Sequence, residues 1–273
     1  MVKLSKTKKN LFSVLAAVAA VFLLYAHWET YLVEIVATTV TNGKIPAEFA
    51  AKKIVYIADI HCGEGFEIGR LDKLVKTINS LNPDILLLGG DYVSRNGKDT
   101  TACFAKIPDI IAPLGKFGVL GNHDIEAGKE SVKKAMLDAG ITPLVNEQRE
   151  ITVGGAKISI AGVDETWYGN PDGAAATKNS RDFVVFLSHD PGYLEQYAAN
   201  SSQLLLAGHT HGGQITLLGI PFAGLIHGKN YKYEKGIFYE PNRTVIVTNG
   251  IGTGIVPLRF FARPQINIIT LQN

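Results

Sequence analysis

The sequence predicts an α/β domain with a central sheet and helices outside it, preceded by one apolar helix. Two observations lead to this fold class. Short runs of Val, Ile and Leu, the composition of strands buried on both faces, recur along the chain and alternate with amphipathic helical patterns. Before all of these runs, residues 11–26 form one uncharged apolar stretch. Because no internal repeat or low-complexity tract follows residue 45, we expect a single domain over residues 30–273.

Length and composition exclude several classes of protein. The chain has 273 residues, of which 46% are hydrophobic and 19% charged, with a net charge of +2. These values are those of a globular protein and exclude disordered and collagen-like chains. The single long apolar stretch excludes a polytopic membrane protein. Four lysines before residue 10 carry more positive charge than the net charge of the whole chain, so the rest of the chain is slightly acidic. We therefore expect no nucleic-acid partner.

The apolar stretch predicts a transmembrane signal-anchor over residues 11–28, after a basic flank over residues 1–10. As a helix the uncharged run extends roughly 24 Å, and His27 and Trp28 bring it near the length that crosses a bilayer. A cleaved signal peptide is the alternative, although the residues at the end of the run fit a cleavage site poorly. The lysines predict a single-pass protein of the cell membrane, with a cytoplasmic N-terminus and the domain outside.

Each element of the domain follows from its residue pattern. Apolar, β-branched segments predict strands at residues 30–41, 53–61, 84–91, 117–124, 157–164, 183–190, 203–211, 244–250 and 266–271. Residues 149–162 predict a hairpin that turns at Gly154 and Gly155. The helical spacing of apolar residues predicts helices over 68–81, 127–139 and 192–199.

Metal-binding residue types are concentrated where the predicted strands end. Five of the seven histidines lie there with carboxylates and an amide, in the set Asp59, His61, Asp91, Asn122, His123, Asp124, His189, His209 and His211. In open α/β sheets, ligands bind beyond the carboxyl ends of the strands. Mixed oxygen and imidazole donors suit Mn, Fe or Zn, and the set predicts two adjacent divalent ions. In an extended backbone Asp59 and His61 would share a face, as would His209 and His211.

The order of these residues resembles the calcineurin-like metallophosphoesterase superfamily, whose motifs are D-x-H, G-D, G-N-H-D/E, H and G-H-x-H. The chain has all five in order, as Asp59-Ile60-His61, Gly90-Asp91, Gly121-Asn122-His123-Asp124, His189 and Gly208-His209-Thr210-His211. Segments 208–214 and 249–271 are similar to a bacterial, membrane-associated subgroup of phosphodiesterases. The resemblance implies a four-layer α-β-β-α sandwich and a metal-dependent phosphoester hydrolase.

The resemblance also implies a role for each motif residue. One ion would be held by Asp59, His61, Asp91 and His211, and the other by Asp91, Asn122, His189 and His209. His123 would face the phosphoryl group, as an electrostatic stabiliser or as an acid for the leaving oxygen. A hydroxide bridging the two ions would attack phosphorus.

Three arginines are expected to contact the substrate phosphate. Arg95 matches a phosphate-binding arginine of the phosphoprotein phosphatases, while Arg259 and Arg263 flank Phe260-Phe261. A plain surface position is the alternative for each arginine. Ser94 stands where those phosphatases have the aspartate that orients the catalytic histidine. We therefore expect Asp124 or a backbone carbonyl to orient His123.

Two further features have competing interpretations. Cys62 follows His61 and is expected to be a small buried hydrophobic residue, not a ligand. Cys62 and Cys103 are too few for a disulfide framework and leave the redox compartment open. Residues 215–226 are unusually apolar for a loop. They predict either a core strand with a turn or an apolar, membrane-facing lip for an acyl chain.

Together these patterns predict a membrane-anchored phosphoesterase with two metal ions that hydrolyses a phosphodiester or pyrophosphate bond, in a lipid-linked substrate or a small phosphoester. One alternative substrate is UDP-2,3-diacylglucosamine of lipid A synthesis, although that substrate is made on the cytoplasmic side and conflicts with the predicted orientation. Another alternative is a broad phosphodiesterase or phospholipid head-group hydrolase acting outside the cytoplasm. The non-enzyme alternative is a metal-binding interaction module without catalysis, which the complete set of motif residues disfavours.

Overall fold

The computed structural model describes residues 5–181, 183–197, 202–217, 220–221, 231–254 and 256–273. The helices are α1 (Lys6–Glu29), α2 (Leu71–Ser80), α3 (Thr100–Phe104), α4 (Asn122–Asp138), α5 (Gly173–Thr177) and α6 (Pro191–Gln196). The strands are β1 (Glu34–Thr41), β2 (Lys53–Ile57), β3 (Ile85–Leu88), β4 (Lys116–Gly118), β5 (Thr142–Pro143), β6 (Glu147–Val153), β7 (Ala156–Gly162), β8 (Val184–Leu187), β9 (Leu204–Ala207), β10 (Thr216–Leu217), β11 (Ile220–Pro221), β12 (Gly236–Glu240), β13 (Arg243–Val247) and β14 (Gln265–Gln272).

The longer strands form two six-stranded sheets with similar organisation. The first has the order β1-β14-β2-β3-β4-β5, and the second has the order β12-β13-β9-β8-β7-β6. Strands β2 to β5 are parallel in the first sheet, and β7, β8, β9 and β13 are parallel in the second. Parallel strands align their carboxyl ends at one edge, so each sheet presents several strand ends together.

The layers follow from which side chains each face of a sheet buries. Ile54, Leu87, Ile160 and Leu206 come from both sheets and share one apolar cluster, so the two sheets pack face to face. The outer face of the first sheet packs on α2 and α4, and that of the second packs on α5 and α6. The predicted four-layer α-β-β-α sandwich is therefore confirmed.

Most predicted elements are present, but several boundaries are displaced. Strands β2, β3 and β9 end at Ile57, Leu88 and Ala207, three or four residues before the predicted ends. The hairpin turns between β6 and β7 at Gly154 and Gly155, as predicted. The predicted strand 117–124 is wrong in its second half, because β4 ends at Gly118 and α4 begins at Asn122. The Asp124 carboxylate accepts the Gly121 N–H at 2.9 Å and so caps the helix. Gly128, with φ of 117°, kinks α4 where the predicted helix begins. The end of the predicted helix 192–199 lies outside the described residues.

Helix α1 is the one described helix that is long and apolar enough to cross a membrane. Most of its side chains are exposed, but its last turn is part of the domain. The Ala26 carbonyl accepts the Arg259 N–H at 2.8 Å, and the buried Glu29 carboxylate accepts the Ala262 N–H at 2.9 Å. The aromatic rings of Phe22 and Phe260 lie 4.8 Å apart. The helix thus enters the domain without a linker.

A disulfide joins Cys62 to Cys103, 41 residues apart in sequence. It connects the turn after His61 to α3. The expectation of a merely hydrophobic Cys62 is therefore corrected: the residue is buried, but its sulfur is covalently paired. A pair so distant in sequence is brought together only by the tertiary fold, which sequence spacing does not show.

Candidate metal centre

The motif side chains converge where the parallel strands of both sheets end. Strands β2, β3 and β4 of the first sheet lead into Asp59, Asp91 and Asn122, while β8 and β9 of the second lead into His189 and His209. The site therefore lies at the junction of the two sheets. Each motif contributes from residues that follow its strand, and Asn122 does so from the first turn of α4, as the strand-end rule predicts.

The backbone of these turns differs from the extended geometry expected for the D-x-H and H-x-H pairs. Strands β2 and β9 end before the motifs, and five motif residues have φ between 46° and 69°: Asp59, His61, Asp91, His209 and His211. They make up half of the ten described non-glycine residues with positive φ. Such conformations cost residues with a Cβ about 1–3 kcal/mol each and cluster at functional sites. The expectation of an extended segment was wrong because the chain must turn sharply to aim both side chains inward.

The first group of side chains joins Asp59, His61 and His211. The Nε2 atoms of His61 and His211 are 3.0 Å apart, and the His211 Nε2 lies 3.8 Å from the Asp59 Oδ1. Two imidazole nitrogens at this separation can share one ion, because a metal–nitrogen bond is about 2.0–2.1 Å long. The backbone N–H of His209 donates to both carboxylate oxygens of Asp59 and fixes its orientation.

The second group joins Asp91, His189 and His209. Oδ2 of Asp91 lies 3.3 Å from the His189 Nε2 and 3.5 Å from the His61 Nε2. This carboxylate is therefore shared between the two groups, as a bridging ligand must be. The Nδ1 atom of His189 is 2.7 Å from the Gly89 carbonyl, and a proton donated there leaves Nε2 free to face the centre.

An unsatisfied buried atom also fits bound metal. Within the described part of the chain, the amide oxygen of Asn122 is buried without a hydrogen-bond partner. Burying such an atom unpaired costs roughly 1–3 kcal/mol. The amide oxygen of Asn122 is the atom expected to bind an ion. The residues present thus match the requirements of two divalent cations in both donor type and arrangement.

The pKa values of the buried groups show where positive charge is stabilised. Burial lowers the pKa of His61 to about 3, so this imidazole is neutral and keeps a lone pair for a metal. Burial alone would lower the pKa of His189, but the Asp91 carboxylate raises it to about 10. Burial would raise the pKa of Asp91, yet His189 holds it well below its usual range. The Asp91 carboxylate therefore stabilises positive charge at the His189 Nε2, where a metal ion would replace the proton.

Comparison with known proteins agrees with this geometry. The family model for calcineurin-like phosphoesterases matches residues 52–213, which contain every motif residue above. The chain belongs to this family. It is a metal-dependent phosphoester hydrolase whose fold typically binds two divalent metals.

The relatives of this metallophosphoesterase include bacterial and animal proteins. An uncharacterized metallophosphoesterase of Bacillus subtilis, YkuE, is 33% identical over 91% of this chain and 89% of its own. Phosphodiesterase YaeI of Escherichia coli is 29% identical, covering 80% of this chain and 82% of its own. A transmembrane protein with a metallophosphoesterase domain from Bos taurus is 28% identical over 84% of this chain and 55% of its own.

A solved structure shows the same fold. NAD nucleotidase from Haemophilus influenzae matches with a TM-score of 0.52 at 18% identity. The match covers 73% of this metallophosphoesterase but only 45% of the nucleotidase. At this identity the similarity concerns the fold alone.

His123 lies at the edge of the two groups. Its ring is 4.5 Å from that of His61, and its backbone N–H donates to the Asp91 Oδ1 at 2.8 Å. Burial lowers the pKa of this imidazole, so it is neutral near pH 7 and able to donate one N–H. A His123 nitrogen also falls close enough to His61 and Asp91 to act as a ligand, an arrangement that the sequence did not predict.

Neither Asp124, expected to orient His123, nor Ser94, which occupies the position of the missing aspartate, contacts the His123 ring through a hydrogen bond. The Asp124 carboxylate accepts the backbone N–H groups of Asp91 and Tyr92 at 2.7 and 2.9 Å, so it stabilises the metal-binding turn. The Ser94 hydroxyl donates to the His61 carbonyl at 3.2 Å. The Nδ1 atom of His123 is buried without a hydrogen-bond partner among the described residues. The expectation that Asp124 orients His123 is thus corrected.

Arg259 is enclosed by the protein, contrary to the expectation that it is available to substrate. It is fully buried, and its guanidinium donates to backbone carbonyls on three sides: Gly252 at 3.1 Å, Asn249 at 2.7 Å and Ala262 at 2.6 Å. A further contact of 3.4 Å reaches the carbonyl of His211. A guanidinium has five N–H donors, and these carbonyls engage them. Arg259 is therefore a positioning residue that binds the metal-site loops together.

The other two arginines remain accessible. Arg95 is exposed, and its Nε donates to the Glu126 Oε2 at 3.0 Å near His123. Arg263 is also exposed, and its carbonyl accepts from the amide of Asn249. Both positions are compatible with the predicted phosphate contacts.

Two aromatic residues at the entrance were not predicted from the sequence. The Trp167 ring lies 4.9 Å from that of His209, and its Nε1 donates to Asp190 at 3.1 Å. The Tyr168 hydroxyl donates to Glu126, the partner of Arg95. Both residues are about half exposed, at 49% and 57%. The Trp-Tyr pair stood just after the predicted strand 157–164, so its place beyond a strand end was the available signal.

Proposed function

We propose that the chain is a membrane-anchored phosphoesterase that hydrolyses a phosphodiester or pyrophosphate bond in a lipid-linked substrate outside the cytoplasm. The observation that carries the proposal is the contact between helix α1 and the metal-site loops. Arg259 donates its backbone N–H to Ala26 in the last turn of α1, and its side chain reaches the carbonyls of Gly252 and His211. One residue therefore links the apolar helix to a motif histidine.

The proposed ligand sets extend the two observed groups, adding the shared Asp91 to the first and Asn122, with its unpartnered amide oxygen, to the second. Asp59, His61, Asp91 and His211 hold one divalent ion, and Asp91, Asn122, His189 and His209 hold the other. Mn, Fe and Zn all suit this donor set. When bound, the two ions supply a water of lowered pKa and positive charge opposite the phosphoryl oxygens.

Around this centre the chain's own residues orient the substrate. A neutral His123 donates its remaining N–H to a phosphoryl or leaving-group oxygen, and Arg95 at the entrance pairs with a phosphate oxygen. The backbone N–H groups held by Asp124 keep Asp91 in place during the reaction. These are stabilising roles for charge that develops as the ester bond breaks.

The external location has two independent supports. The lysines before the apolar segment favour a cytoplasmic N-terminus. The Cys62–Cys103 disulfide is the kind of bond that persists in oxidising compartments and is rare in the cytosol. The same location disfavours UDP-2,3-diacylglucosamine, a substrate made on the cytoplasmic side, as the natural substrate.

The proposal is tested with purified full-length protein in detergent and added Mn. We expect hydrolysis of bis-(p-nitrophenyl) phosphate that falls at least about 100-fold in Asp91→Ala, because the shared ligand of both ions is lost. Asp138→Ala is the matched control, since that carboxylate is exposed on α4. A screen of phospholipids, polyprenyl phosphates and nucleotide sugars then identifies the substrate class.

Each result of the screen has a defined meaning. Preference for a lipid-linked phosphoester over its deacylated analogue supports the proposal. Equal rates on both would contradict the lipid-linked substrate while leaving the phosphoesterase activity intact. Release of UMP from UDP-2,3-diacylglucosamine would favour the alternative. Fewer than two ions per chain, with no phosphoester hydrolysed, would favour a binding module.

A further inference from the structure

We infer that the domain touches the bilayer at a second place besides helix α1, through an apolar lip made of Leu217, Ile220, Val256, Phe260 and Phe261. The inference deepens the proposed function and rests on the membrane anchoring proposed above. Its ligand is the interfacial region of a phospholipid bilayer, and its consequence is that the metal centre opens at the membrane surface.

The depth of the lip follows from its contacts with α1. The Phe260 ring packs against Phe22 at 4.8 Å and against Tyr25 at 5.8 Å. Phe22 precedes the end of the helix by seven residues, which is about 10 Å along the axis. Phe22 also lies inside the apolar stretch of residues 11–26. If that stretch occupies the bilayer, its neighbour Phe260 lies at or below the headgroup layer.

The residues next to Phe260 extend the same apolar surface. The Thr216 N–H donates to the Phe260 carbonyl at 2.8 Å, which places strand β10 beside the aromatic pair. Leu217 and Ile220, on the paired strands β10 and β11, are 53% and 67% exposed, and Phe261 is 56% exposed. Exposed apolar residues clustered in one place mark an interaction surface, whereas scattered ones do not. Their continuity with α1 identifies that partner as lipid.

The lip is also close to the metal centre. Only three residues separate His211 from Ile215, which forms a β-bridge with Phe260 of the lip, so the backbone between the motif and the lip spans at most about 14 Å. Gln214 holds this connection, because its side chain accepts the Gly254 N–H and donates to the Val256 carbonyl, both at 2.7 Å. A phosphoester at the bilayer surface beside the lip therefore lies only a short connecting segment away from the metal centre.

The inference is tested by measuring depth, independently of catalysis. Leu217→Cys and Ile220→Cys are labelled with an environment-sensitive fluorophore, since both native cysteines are paired. Ile111→Cys is the matched control, because Ile111 is 70% exposed but precedes β4 and so lies at the opposite ends of the strands. The full chain is reconstituted in vesicles of phosphatidylcholine and phosphatidylglycerol that contain acyl-chain nitroxide lipids.

We expect the nitroxide lipids to quench labels at 217 and 220 several-fold more than the label at 111, and aqueous iodide to show the reverse order. Equal quenching at all three positions by either agent would overturn the inference. Hydrolysis of the soluble bis-(p-nitrophenyl) phosphate shows that a labelled variant is folded and active, independently of membrane contact. If quenching contradicts the lip, the proposed phosphoesterase activity is therefore unaffected.

A second pair of variants tests the consequence for lipid substrates. Leu217→Asn with Ile220→Asn should leave hydrolysis of the soluble diester within about twofold and lower hydrolysis of a vesicle-borne phosphoester at least about fivefold, since apolar surface no longer enters the bilayer. Ile111→Asn with Leu137→Asn should change neither rate. Parallel losses on both substrates would contradict the inference.

Discussion

His123 lies between the motif groups and the entrance to the site. Its substitution therefore distinguishes three roles: electrostatic stabiliser, acid for the leaving oxygen, and metal ligand. We expect His123→Gln to retain both ions and to lower kcat about 100- to 1,000-fold, because a positioned donor to the phosphoryl group is lost. The metal content of the purified variant is measured. Its kcat is then determined with p-nitrophenyl diesters and with methyl diesters.

The dependence on the leaving group distinguishes the two catalytic roles. A loss much larger for the poor leaving group methanol identifies an acid, whereas equal losses identify an electrostatic stabiliser. Loss of one ion from His123→Gln would contradict both roles and make His123 a ligand, as its position near His61 and Asp91 allows.

At this scale, residue types and spacing predicted which side chains meet. The strand-end rule placed Asp59 beside Asp91 at the end of the first sheet, because strands in a parallel sheet end together. It did the same for His189 and His209 in the second sheet, and the packing of the two sheets joins the pairs. The same reasoning failed for Arg259 and Cys62. An arginine beside two phenylalanines gives no sign that carbonyls from distant loops will enclose it, and a cysteine does not reveal a partner 41 residues away.

Among elements, the disulfide makes a stability prediction. Closing a loop of this length stabilises the fold by about 4 kcal/mol in the chain-entropy description. We expect Cys62→Ser with Cys103→Ser to lower the Tm, and dithiothreitol to lower the Tm of the wild type but not that of the variant. Differential scanning fluorimetry in detergent checks both. A wild-type Tm that does not respond to the reductant would contradict the prediction.

The last turn of α1 makes a second prediction. Glu29→Ala leaves the N–H groups of Phe261 and Ala262 without their carboxylate acceptor, at a cost of about 1–3 kcal/mol each when buried. We expect a lower Tm and reduced hydrolysis of a soluble diester, because the loop that carries Arg259 loosens. Glu34→Ala, at an exposed position of β1, is the control and should resemble the wild type.

The elements themselves were predicted best where a pattern was long. Apolar runs identified β2, β3, β8 and β9, and Gly-Gly identified the turn between β6 and β7. The start of α4 was missed because Asn122 and His123 read as the end of a strand, while Asp124 in fact caps the helix from its own first turn. Strand β12 was also missed. Its residues are half-exposed and show no clear strand pattern, and the strand forms because it pairs with β13.

The predicted orientation of the protein in the membrane can be measured directly. We expect protease added to spheroplasts to digest the domain while a cytosolic marker stays intact, because the basic flank remains inside. Replacing Lys3, Lys6, Lys8 and Lys9 with Gln should increase the protected fraction. A domain that is cut only after lysis would place the active site in the cytoplasm.

The layered architecture was predictable only in part. Alternating strands and helices indicated a sheet-centred α/β fold, and the motif resemblance supplied the four layers. The assignment of strands to two sheets depends on contacts between distant segments, such as the pairing of β14 with both β1 and β2. Local periodicity contains no information on such pairing.

The buried last turn of α1 has a consequence for how far the enzyme reaches. A domain on a flexible linker samples many heights above a membrane. Here the anchor helix is hydrogen-bonded to the loop beside the metal centre, so the domain would be held at one height. In the proposed anchored state, lateral diffusion brings substrates to the centre within two dimensions. The enzyme then selects among substrates by the distance between the phosphate and the acyl chains. That distance is set by the length of the polar headgroup.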